Sequence, residues 1–382
     1  MPVATYNSSS KPPAAKILYI DHLKVLLTGL VILHHACVTY AGPGSWYYAE
    51  KTSKSAVIIP VTMLVATNQA FFMGFFFFLS ALFIPASLTK KGTTVFVKDR
   101  LNRLGIPLLF YSFILSPVMD YLVYYYDGGH HITFVQFLGG YQGWMSFGVM
   151  WFVAALLLFT AVYIIWRKVD ESKPTICKTP SLSAILLFAG GLGVVSFLVR
   201  IIFPVGWVLK PVGFQLGHFP QYIALFIGGI ICFHNNWLGN IASQYKRSGL
   251  IAIGLIIFGF PLIYSIKIIN DTPLEWFSGG IHFESLLYAT WEQLTGLTII
   301  TSLLYIGKNY WNKPSAFLAK LSRCAFAVYI FHPLVLISLS LFLKNWPVDP
   351  AMKLAIVAPA GILFSFLLGY LVAQIPGVRK IL

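Results

Sequence analysis

Ten stretches of this chain are long and apolar enough to cross a lipid bilayer, which takes about 20 helical residues. They fall near 19–40, 62–88, 104–126, 147–166, 181–200, 218–234, 249–266, 284–307, 322–343 and 352–374. In hydrocarbon every backbone N–H and C=O must be satisfied internally, so such a chain is expected to fold as an all-α polytopic bundle of about ten spans. The composition agrees: 58% of residues are hydrophobic and only 10% charged, against about 25% charged in soluble domains. The run from Val57 to Leu88 is too long for one straight crossing, so its start is interfacial or the helix tilts. Residues 1–16 are rich in Ser, Pro and Ala, lack the apolar core of a signal peptide, and read as a disordered cytoplasmic tail. The membrane domain is expected over 17–376.

Lysine and arginine set the orientation. With the N-terminus inside, twenty of the 27 fall in inner segments. The outer ones are Lys51, Lys54, Arg200, Lys210, Lys267, Lys344 and Lys353. This asymmetry fits an even number of spans with both termini in the cytoplasm. It also accounts for the net charge of +15 without a nucleic-acid partner. Cys37, Cys177, Cys232 and Cys324 form no CxxC or CxxH pair, so neither a metal site nor a disulfide framework is expected. The outer loop 127–146 has no Lys or Arg and is rich in aromatics. It reads as a headgroup-level belt or as a glycan-binding surface.

Ionisable residues inside spans are costly and point to function. The first span carries Asp21, His22, Lys24, His34 and His35. Lys24 and His35 are eleven positions apart, which at about 100° per residue returns to within roughly 20° of the same face, about 16 Å further along. His34 points about 100° away from His35 and leaves that stripe. Asp21 lies three residues before Lys24 and can pair with it. Ahead of the third span, Arg100 and Arg103 share a helical face. Two guanidiniums there suit a phosphate ligand, or serve as basic anchors. Trp151 opens the fourth span and by itself reads as an interfacial anchor. Glu292 in the eighth span needs a partner or water. His332 in the ninth precedes Pro333, which removes a backbone donor and usually kinks a helix. It reads as a packing histidine or as part of the chemistry.

These elements in this order resemble the acyltransferase type 3 family of polytopic membrane acyltransferases, which modify cell-surface glycans. That family's first helix carries a basic residue, ten variable residues, then His, matched here by Lys24 and His35. The family usually has Arg at the first place, so Lys24 is a departure. Arg100 and Arg103 match its Arg-x-x-Arg motif. F-F-F-F-L-S-A-L-F-I-P ahead of it, M-W-F-V at 150–153, F-I-G-G-I-I-C-F at 226–233, W-E-Q-L at 291–294 and L-S-R-C-A-F-A-V-Y-I-F-H-P-L at 321–334 are similar to further family segments. The overall look is nearest to the glucan-modifying branch.

The resemblance implies transfer of an acyl group, acetyl or succinyl, from cytoplasmic acyl-CoA to a hydroxyl of a periplasmic or cell-surface glycan or lipid-linked acceptor, at the inner membrane and without a metal. Arg100 and Arg103 would bind the donor's phosphates. Lys24 would border the entry, and His35 would act as base or acyl acceptor. Asp21, Trp151, Glu292 and His332 would support them, the last two by orienting His35 or lining its cavity. The rival reading is a secondary transporter or flippase, with the same ionisable groups as a relay. Inverted repeats would favour it, and the sequence shows none. A scaffold without chemistry leaves the Lys24–His35 stripe unexplained.

Overall fold

The computed structural model describes residues 17–170, 176–241 and 243–381. The expected tail over 1–16 lies outside the described residues. Within them the protein is an all-α bundle. Nine helices are long and apolar enough to cross a membrane: α1 (Leu18–Tyr40), α2 (Ser55–Lys91), α3 (Thr93–Tyr126), α4 (Gly148–Val169), α5 (Leu182–Ile202), α6 (Leu216–His234), α7 (Ser243–Ile269), α9 (Ala316–Leu343) and α10 (Pro350–Val372). The remaining long helix, α8 (Phe283–Ile306), has 24 residues. That gives it a length of about 36 Å, sufficient to span. Its buried face is polar, with Glu292, Gln293, Thr295 and Thr298, so it survives only inside the bundle.

The packing follows from which faces are apolar or small. α1 lies against α9 and α10, α5 and α7 against α8, and α6 against the middle of α2. Ile32, Ala36, Val328, Leu336 and Val357 close the α1–α9–α10 side. A larger apolar core joins α1 to α2, α3, α4, α6 and α9 through Leu27, Val31, Phe75, Phe77, Phe152 and Ile330.

The long Val57–Leu88 run resolves into three helical pieces, Ser55–Gln69, Phe72–Ala81 and Ile84–Lys91, rather than one tilted rod. Breaks leave carbonyls without helical donors, which hydrocarbon does not forgive. At the first break the Ala70 carbonyl accepts from Gln221 Nε2 at 2.8 Å, and Gln293 Oε1 holds the same nitrogen at 2.8 Å. Gly296 of α8 presses on that carbonyl: a Cβ added there would stand 1.9 Å from the Ala70 oxygen. Gly296→Ala therefore forces α8 away from α2, and overpacking of this kind costs about 1–3 kcal/mol. The expected outcome is a lower thermal unfolding midpoint of the detergent-solubilised protein. An unchanged midpoint would show that this junction is soft.

Candidate active site

The middle of the Lys24–His35 face of α1 is buried, while Lys24 stays partly exposed at its end. Lys24 Nζ lies over the Phe83 ring of α2 at 5.1 Å and 3.8 Å from the Asp21 carboxylate. At the other end, His35 Nδ1 lies 3.0 Å from His332 Nε2 of α9. Two histidines 297 positions apart thus form an intramembrane imidazole pair.

The local chemistry of α9 sets the protons of this pair. Pro333 has no N–H, so the carbonyl four residues back, that of Tyr329, loses its helical donor. His332 Nδ1 takes that place, 2.8 Å from the Tyr329 oxygen. A carbonyl only accepts, so Nδ1 carries the proton, and neutral His332 offers Nε2 as an acceptor. His35 then donates its Nδ1–H, and its own Nε2 keeps a lone pair. His332 is wholly buried, while His35 keeps a partly exposed edge. His34 goes elsewhere, as the 100° step requires: its ring stacks on Phe72 at 5.0 Å.

The indole of Trp46 stacks on His35 at 4.0 Å, 18° from parallel. Trp46 belongs to the loop between α1 and α2, which is folded back over the end of α1. Glu50 N donates to the Thr39 carbonyl at 3.0 Å and Thr52 N to that of Tyr40 at 2.8 Å. Lys51 Nζ donates to the carbonyls of Val38 and Gly42, and burial lowers the pKa of its ammonium below the usual lysine value. Buried Lys353 of α10 grips Glu50 at 2.7 Å, and Thr52 donates to Asp349 at 3.0 Å. Beside Trp46, Tyr47 and Tyr111 share a hydroxyl hydrogen bond of 2.9 Å, and Tyr329 donates its hydroxyl to the Val149 carbonyl. Gly148 makes that approach possible at φ +44°, where a Cβ would collide with both tyrosine hydroxyls.

The remaining predicted residues divide. Between Lys24 and His35 the stripe is filled by Thr28 and Val31, each 2% exposed, so the two ends are separated by packed side chains. Arg100 is half-buried against Phe96, 5.2 Å from the ring. Arg103 is exposed and lies in a π-helical turn, Leu101–Gly105. That turn winds more slowly than an α-helix, so the two guanidiniums share a face less closely than uniform α-helical spacing predicts. Trp151 points inward, its ring 5.6 Å from Tyr222 and 6.5 Å from Phe77, instead of anchoring at the interface. Glu292 has a partner, but not His35. It accepts from Arg200 and lies 3.1 Å from His218 Nδ1, all three side chains being buried. Arg200, read from the sequence as an outer cation, is thus the interior counter-charge. Among the described residues no group of three or more His, Cys, Asp or Glu is placed to hold a metal.

Trp46 and Tyr47 escape sequence reasoning, because an aromatic beside a span reads as belt. The one available cue was the His-Pro step at 332–333, whose missing N–H demands a nearby donor.

A family model described as an acyltransferase domain matches residues 17–373, nearly the whole chain. No curated protein and no solved structure matches it. With the match running from α1 through α10, the chain belongs to the type 3 acyltransferase family and is an integral membrane acyltransferase.

Proposed function

We propose that the protein moves an acetyl or succinyl group from acyl-CoA, bound at the face carrying Lys24 and the arginines, to a hydroxyl of a glycan or lipid-linked acceptor reached from the opposite face. The basic face is cytoplasmic in this reading, both termini lie there, and the membrane is the inner one. The observation that carries it is the 3.0 Å bond from His35 Nδ1 to His332 Nε2, because it leaves His35 Nε2 unprotonated.

Arg100 and Arg103 hold the donor's phosphates by charge-assisted bonds. Lys24 and Asp21 stand at the entry. The acyl arm covers the roughly 16 Å from Lys24 to His35 only when the helices part at Thr28 and Val31. At the far end the His35 lone pair serves either of two routes. As general base it takes the acceptor's hydroxyl proton while that oxygen attacks the thioester carbonyl. The C–S bond breaks, and the proton passes on to the departing thiolate. As nucleophile its Nε2 attacks the thioester first and the C–S bond breaks, giving an Nδ1-protonated acyl-imidazolium and thiolate; the acceptor hydroxyl then attacks the acyl carbon, the C–N bond breaks, and the hydroxyl proton passes to the thiolate. In both routes His332 is a positioning residue that holds the His35 tautomer, and Trp46 fixes the ring plane. Trp151 contributes to the aromatic wall of the bundle. Glu292 acts through its pairing with Arg200, by holding α8 and α5 together.

The decisive experiment is acyl transfer by the purified protein with a series of labelled acyl-CoA donors. His35→Ala is expected to abolish transfer and His34→Ala to leave most of it. Equal losses would remove His35 from its special place. Label retained on the protein when donor is supplied without acceptor selects the acyl-imidazole route. Solute uptake without CoA release would make the protein a transporter instead.

His332→Leu cannot accept from His35, whereas His332→Gln can. Loss of a positioned base is worth about 10²–10⁴-fold in rate, so the Leu variant is expected to fall by that order and the Gln variant to recover at least part of it. A fold-only role for His332 would leave the two alike. Arg100→Ala combined with Arg103→Ala is expected to raise the KM for acyl-CoA. An unchanged KM would reduce the pair to membrane anchors.

A further inference from the structure

A polar cavity of about 240 Å³ opens on the basic face, away from the imidazole pair. Three elements build it. The turn from α2 to α3 supplies Thr89 and Thr93, the last turn of α4 supplies Arg167 and Lys168 with Tyr163 one turn below, and the end of α6 supplies His234. Positive-inside anchoring explains lysine and arginine at a helix end. It does not explain why cations from one helix converge with an imidazole and two hydroxyls from others around a cavity. Arg167 is half-buried and its Nη1 donates to the Asp170 carbonyl at 3.4 Å, which ties the guanidinium to the end of α4. Tyr163 is buried behind it. α3 opens here without a side-chain cap, and its first residue, Thr93, lines the cavity.

We propose that this cavity is a phosphate-binding site. A phosphate presents several acceptor oxygens and negative charge. The guanidinium fork, the ammonium and the hydroxyls supply donors and positive charge in the same small volume. The ligand is a phosphate monoester or diester, carried by a nucleotide or by an anionic lipid whose headgroup lies at this depth. The assignment stands independently of acyl transfer. Should the donor reading hold as well, it adds a phosphate contact beyond Arg100 and Arg103.

The test uses the full-length protein in nanodiscs and two probes. The first is adenosine 3′,5′-bisphosphate, followed by equilibrium binding in phosphatidylcholine discs. The second is phosphatidylglycerol, followed by native mass spectrometry of retained lipid. Arg167→Ala and Lys168→Ala are each expected to weaken one of these probes about tenfold, the size of one lost charge-assisted contact. Lys178→Ala, an exposed cation of the same face outside the cavity, is expected to change neither. Loss of the nucleotide alone assigns the site to a soluble phosphate ligand, and loss of the lipid alone assigns it to a headgroup. Wild-type binding of both probes by the Arg167 and Lys168 variants, or an equal loss in Lys178→Ala, overturns the proposal. If Arg167→Ala does not fold, Arg167→Lys and Thr93→Val carry the same comparison, since they keep the charge and remove the fork or the hydroxyl.

Discussion

A carbonyl oxygen released from a helix inside a bilayer must find a donor, and two such oxygens organise this protein. One is that of Ala70, freed where α2 breaks and received by Gln221. The other is that of Tyr329, freed by Pro333 and received by His332. The first fixes α2, α6 and α8 at one junction. The second fixes the tautomer of an imidazole, and through it the state of His35. An unsatisfied polar group in hydrocarbon costs several kcal/mol, so neither arrangement can relax without a large penalty. Structural necessity and the chemistry of the site are here the same hydrogen bond.

Much of this was readable in the residues. The 3.6-residue period alone puts Lys24 and His35 on one face and sends His34 off it; in the fold His35 meets His332 and His34 meets Phe72. The apolar runs give the bundle. The count differs in kind: α8 spans by length but is held by its polar face, because Glu292 and Gln293 are buried against neighbours. The α2 run was legible as too long, but its three-piece course was not. At its first break the freed carbonyl is met by Gln221 and Gly296, far away in the chain.

Partners across the bundle were the unreadable part. Glu292 visibly needed a counter-charge, yet Arg200 lies 92 positions away at the end of α5, where arginine ordinarily means a surface. His332 visibly stood beside a proline, but only the fold brings it to α1. Trp46 could not be told from an ordinary belt tryptophan. Its place over His35 depends on Lys353, Lys51 and Asp349 drawing the loop down, and no local pattern encodes that. The resemblance to a family supplied the acyltransferase reading. The geometry leaves one nitrogen of His35 without a proton.

The Arg200–Glu292 pair has a consequence for how the chain is made. During synthesis α5 emerges before α8, so for a time the guanidinium has no carboxylate to meet. Arg200 lies two residues before the end of its helix, close enough for its long stem to lift the charge into the headgroups while it waits. Glu292 lies deeper, ten residues into α8, in a helix too polar to be comfortable alone in lipid. The arginine therefore leaves the headgroups only once α8 has docked, when one buried charge folds onto the other.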